Sequence, residues 1–235
     1  MIFIKQTLQK LAITPLFGML FMSGCGSLPL IGEKTPSEEP EQAVASSEQV
    51  VEQPAEVLPP NPYLQSRKSV PTAAQKRFAT ALEFMDSGEW QKAEQPLLQI
   101  TIDYPQLSGA HLNLGICYRQ LGKEQLAQDY FTESIRVNPS NLSAYNLLAL
   151  VKREQGAFAE AKALYEKALA VWPYHPESHY NLGVLNELYL GDLQSASHHF
   201  GQYQKLLPEP DKRVAGWIKD LQRRINALAE NKVAP

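Results

Sequence analysis

The sequence predicts an all-α solenoid of about four helix–turn–helix units, closed by a C-terminal helix. Two observations predict it. Pro105, Pro139, Pro173 and Pro208 lie 34, 34 and 35 residues apart, and Gly88, Gly122, Gly156 and Gly191 keep the same step. Within each step the apolar and small residues recur at helical spacing. Self-similarity at a fixed period of this size marks an array in which each unit buries its apolar face on its neighbours.

The elements follow in chain order. Residues 1–24 read as a secretory signal. Lys5 and Lys10 precede a short apolar run from Leu11 to Phe21, and small residues Ser23 and Gly24 follow. Met22-Ser23-Gly24-Cys25 resembles the bacterial lipobox, in which the chain is cut before a cysteine that is diacylated. That resemblance implies lipidation at Cys25, and Gly26 in place of aspartate implies the outer membrane. Glycine on both sides keeps the thiol accessible to modifying enzymes, and two or three acyl chains suffice for stable anchoring.

Residues 25–62 form a tether. Pro36, Pro40, Pro54, Pro59, Pro60 and Pro62 recur in it, and seven glutamates oppose the single Lys34. Such a composition cannot bury enough apolar area to offset its chain entropy, so it is expected to be disordered, with a coil reach of about 35 Å.

Residues 63–208 hold the four units. In each, a small residue (Ala81, Gly115, Ala149, Gly183) sits in the first helix and an alanine (Ala93, Ala127, Ala161, Ala196) in the second. A large residue (Leu97, Phe131, Tyr165, Phe200) follows that alanine by four. Small residues let the two helices approach, and the large one fills the space beside them. The recurring glycine ends the first helix in a left-handed turn. The recurring proline stops the second, and Ser140 or Asn141 is placed to cap the helix that follows. Two irregularities stand out: Pro96 lies inside a second helix, where it is expected to kink it, and one residue is inserted between Gly183 and Gly191.

This pattern resembles the tetratricopeptide repeat. Gly115, Tyr118, Gly122, Ala127, Phe131 and Pro139 match its signature in the second unit, and Tyr145, Leu148, Ala149, Gly156, Ala161, Tyr165 and Ala168 in the third. Residues 209–235 complete the chain. Val214, Trp217, Ile218, Leu221, Ile225 and Leu228 share one helical face, and Asp211 stands at its start. An array must cover its last apolar face, so this helix is expected to cap it.

Composition excludes several functions. A net charge of −3 gives no field for nucleic acid. No phosphate loop, nucleophile motif or HExxH helix is present, so neither a catalytic residue, a small-molecule substrate nor a cofactor is expected. His175, His179, His198 and His199 are read as packing or surface residues rather than a metal site. Cys117 is read as an inert buried thiol.

The informative surface is the outer stripe of each first helix. It carries Phe78, Leu82 and Met85 in unit one, then Leu112, Ile116 and Arg119. Asn146, Leu150 and Arg153 continue it, followed by Tyr180, Val184 and Glu187. The resemblance implies that these positions line a groove for a peptide or helix, and that Asn113 and Asn181 contact its backbone. The apolar members serve equally as packing between successive units. Arg119 and Arg153 stand one unit apart and suit an acidic segment. The basic residues of the family's carboxylate clamp are not at the matching positions. The expectation is a lipid-anchored, periplasm-facing adaptor for another envelope protein. It is similar to the lipoproteins that assist type IV pilus or secretin assembly. The alternative is an adaptor that regulates a cell-wall enzyme or protease.

Overall fold

The computed structural model describes residues 58–66 and 69–233. The signal segment, Cys25 and most of the tether lie outside them. Among the described residues every regular element is helical. A one-turn helix α1 (Pro62–Gln65) precedes the array. Four hairpins follow: α2 (Thr72–Asp86) with α3 (Trp90–Asp103), α4 (Ser108–Gln120) with α5 (Glu124–Val137), α6 (Leu142–Glu154) with α7 (Phe158–Val171), and α8 (Pro176–Leu185) with α9 (Leu193–Leu206). Helix α10 (Lys212–Val233) closes the chain. The first unit therefore begins at Thr72, and residues 58–66 form a segment of their own rather than the end of a free tether or the start of a repeat.

Each hairpin is set by one small-to-large fit. A Cβ built on Gly115 would stand 2.6 Å from the Phe131 ring, and one on Gly183 2.5 Å from the Phe200 ring. Both phenylalanines are fully buried. Units one and three place Ala81 and Ala149 where these glycines stand, opposite Leu97 and Tyr165, and all four are fully buried. The turns are equally regular. Gly88, Gly122, Gly156 and Gly191 have φ of 73, 71, 78 and 68°, a region that costs a side chain about 1–2 kcal/mol.

The two irregular places resolve differently. Helix α3 runs unbroken through Pro96, forgoing one internal hydrogen bond at the Lys92 carbonyl. The inserted residue of unit four becomes a π-helical turn, Asn186–Leu190, closed where the Gly191 N–H donates to the Asn186 carbonyl. One extra residue widens the last turn and leaves Gly191 in its usual place.

Capping also departs from expectation. Asn141 takes the N-cap position of α6 without a side-chain cap bond. Its amide turns inward instead and donates to Ser134 Oγ at 3.0 Å. Asp211 does cap α10, accepting from the Arg213 and Val214 amides at 2.9 and 3.4 Å. Helix α10 buries Val214 and Leu221 fully against Leu193, Ala196 and Phe200. Leu228, although on the same face, is 54% exposed, because a helix of 22 residues outruns a partner of 14.

The small-to-large fit predicts opposite effects for one substitution. Gly183→Ala forces a methyl into the Phe200 ring and should destabilise by about 1–3 kcal/mol. Gly216→Ala, with nothing within 4 Å of the new carbon, should stabilise by up to ~1 kcal/mol. Urea denaturation followed by circular dichroism measures both.

Candidate functional site

The first helices of the units, α2, α4, α6 and α8 with the π-helical turn that extends it, present three rows of side chains 34 residues apart. The first row is largely closed. Phe78, Leu112 and Asn146 are buried. Tyr180 packs beside Tyr203 and Trp217, with ring centroids 5.2 and 6.3 Å away. In the second row Leu82 and Ile116 pack on the core of units one and two, and Val184 on the core shared with α10. Leu150 is half-buried and belongs to none of these clusters. Met85, at the head of the third row, joins the core of unit one.

The rest of the third row clips each unit to the next. Arg119 donates to Glu154 at 2.6 Å. The Arg153 guanidinium lies 5.6 Å from the Tyr189 ring centroid, and that ring packs on Phe158 at 5.0 Å. Arg224 of α10 donates to Glu187 at 2.8 Å. Arg119 and Arg153 are thus not bare charges. The Arg119–Glu154 and Arg224–Glu187 pairs are partly exposed, and such surface pairs contribute only about 0–1 kcal/mol, so an acidic ligand can exchange with Glu154 at Arg119. Beside the Arg119–Glu154 pair lies a cleft of about 280 Å³, also lined by Gly122, Ala127 and Val151.

The asparagines are tied into the array. Asn146 donates to Ser178 Oγ at 2.7 Å and accepts from Asn181 Nδ2 at 3.1 Å. Asn113 donates to the Gly109 carbonyl at 2.7 Å, and its Oδ1 is buried without a partner.

Buried groups elsewhere are structural. Cys117 Sγ donates to the Trp90 carbonyl at 2.9 Å, and burial pushes its thiol up to about 11. His111 and His179 share a register, and each places Nε2 on the carbonyl of the preceding recurring proline. The distances are 2.9 Å to Pro105 and 3.0 Å to Pro173. His179 Nδ1 also meets His199 Nδ1 at 3.1 Å across unit four, while His175 Nδ1 meets Ser178 Oγ at 2.8 Å. Among the described residues no three potential ligands gather to hold a metal.

The sequence reading missed Glu154, Tyr189 and Arg224. Their signal was present as an offset slightly longer than the repeat: Arg119 and Glu154 are 35 residues apart, Glu187 and Arg224 37.

Comparisons with known proteins agree with this architecture. Two family models described as tetratricopeptide repeat match residues 109–141 and 140–209. A probable UDP-N-acetylglucosamine–peptide N-acetylglucosaminyltransferase, SPINDLY, of Eustoma exaltatum subsp. russellianum is 39% identical over 80 residues. These make up 34% of this chain and 9% of that protein, so the chain spans less than a tenth of that relative. The photosystem I assembly protein Ycf3 of Rippkaea orientalis is 36% identical over 67 residues, 26% of this chain and 39% of Ycf3. The solved structure of Pseudomonas aeruginosa pilF superposes with a TM-score of 0.58 at 20% identity, covering 66% of this chain and 70% of that one. This last likeness is one of fold.

The histidine pair makes stability pH-dependent. Burial, then the neighbouring His179 and His198, lowers His199 to about 4, and burial lowers His179. Lys162 adds to the lowering and Asp192 opposes it. The unfolded chain binds these protons near pH 6.5, so the folded state gains stability above that value and loses it as pH falls toward 4. The melting temperature should drop between pH 7 and pH 5, and the drop should shrink in His199→Asn. Thermal melts across that range check it.

Proposed function

We propose that this tetratricopeptide-repeat protein is an adaptor that holds a protein partner on the α4–α6 face. The observation that carries the reading is the third row. There the partly exposed Arg119–Glu154 pair borders the cleft, with Arg153, held over Tyr189, and half-buried Leu150 on the neighbouring helix α6. A partner suited to this surface presents an acidic segment with an apolar residue. Binding then needs no catalytic group, and turnover is not part of the role.

The finer reading adds the envelope. Cys25 follows Met22-Ser23-Gly24, and a diacylated cysteine at that place anchors the adaptor to the outer membrane, facing the periplasm. The fold shared with pilF and the sequence likeness to a protein named for assembly, Ycf3, favour a part in assembling an envelope complex such as a pilus, secretion or transport machine. Regulation of a cell-wall enzyme or protease is the second reading, since the same face would serve it.

Two outcomes test these statements. Cys25→Ala should move the protein from the membrane to the soluble fraction of its own cells; unchanged fractionation removes the anchor. Arg119→Glu combined with Arg153→Glu should reduce partner capture at least tenfold, a loss of about 1.4 kcal/mol or more, while helical circular dichroism persists. Undiminished capture moves the site elsewhere.

A further inference from the structure

Residues 58–66 cross the loops that join one unit to the next. The Trp172 indole N–H, in the loop after α7, donates to the Pro59 carbonyl at 3.1 Å. Asn138, in the loop after α5, donates to Ser66 Oγ at 3.0 Å. Tyr63 Oη lies over Gly109, at the start of α4, 3.4 Å from where a Cβ would stand. Val70 then packs on the core of unit one. The segment thus enters at the third unit and returns to the first.

The chemistry of this contact is selective. Proline lacks an N–H, and an extended proline-rich strand has no internal hydrogen bonds, so its carbonyls and ring faces are what a protein can read. An indole N–H with aromatic neighbours suits that task. Trp172 has Tyr174 and His175 at centroid distances of 6.1 and 6.3 Å. On the strand side Pro59, Pro60 and Pro62 fix three backbone angles, and Asn61, held extended before Pro62, has φ −57° and ψ 121°. Its side chain then accepts from the Tyr63 N–H at 2.9 Å and turns the chain so that Tyr63 reaches Gly109. A strand ordered in advance loses little entropy on docking.

We propose that the edge at Trp172 is a recognition site for an extended proline-rich strand, and that Leu58–Asn61 of this chain, anchored by Tyr63 in the one-turn helix α1 that follows, is its resident occupant. Pro59 therefore stands beside the third unit, not beside the first. The latch is shallow: Leu58, Pro59 and Pro60 are exposed. It holds because the occupant is part of the same chain, at an effective concentration on the order of 1 mM. This inference stands apart from whatever the α4–α6 face binds.

The test reads the Trp172 indole N–H by ¹⁵N-resolved magnetic resonance in the full chain, the signal being assigned by its loss in Trp172→Phe. In wild type the indole proton should exchange slowly with water. In a variant carrying Pro59→Gly, Pro60→Gly and Tyr63→Ala, all outside the repeat units, it should exchange several-fold faster with the thermal unfolding curve unchanged. A synthetic peptide of sequence LPPNPYLQ should return that signal to its wild-type position in the variant, and should shift wild type only at far higher concentration. An indole signal identical in the two proteins overturns the proposal. So does a variant that ignores the peptide, or one that responds equally to a scrambled peptide. Displacement of the wild-type latch by a micromolar proline-rich peptide of other sequence would also overturn it, making a foreign strand the proper occupant.

Discussion

The close approach of the two helices in each unit governs everything else. With no carbon beyond Cα at Gly115 and Gly183, the Phe131 and Phe200 rings lie almost against the facing backbone. That contact fixes how far the second helix stands from the first, and so which stripe of the first helix turns outward. It also tolerates little change, since a packed aromatic ring has no room to retreat. Ala81 and Ala149 stand at the same register in units one and three, buried with Leu97 and Tyr165.

Stacking then proceeds unit by unit. Side chains of one unit are satisfied by the next: Asn146 by Ser178 and Asn181, Arg119 by Glu154, Glu187 by Arg224 of the closing helix. Stability in such an array is a sum of unit and neighbour terms, and the closing helix supplies the neighbour that unit four lacks. The π-helical turn keeps this series intact. It absorbs the inserted residue where the chain already turns, and it carries Tyr189 to the Arg153 guanidinium.

The fold was legible because its signals are repeated. Four prolines and four glycines in one register identify hairpin ends more surely than any single propensity, and the small and large residues identify the packing face. What escaped was what a period does not encode. Asn141 has the right type and place for a cap, yet the buried hydroxyl of Ser134 competes for its amide and wins. Periodicity pairs Arg119 with Arg153, but their partners lie a little beyond one repeat, outside strict periodicity. The segment before the array reads as tether by composition, and only the fold brings Pro59 within reach of Trp172, 113 residues away. The apolar groove positions were ambiguous for a physical reason: the same stripe serves packing between units and contact with a ligand. Phe78, Leu112 and Val184 fall on the packing side, leaving Leu150 and the two arginines as the open part.

Partner binding by this protein rests on that open part of the α4–α6 face. A photoreactive phenylalanine analogue placed at Leu150, and another at Glu160 on the exposed surface of α7, tests it directly in living cells. Crosslinks to one discrete protein from position 150, absent from position 160, are the predicted result. Crosslinks from position 160 with none from position 150 would contradict it and place binding on the second helices instead.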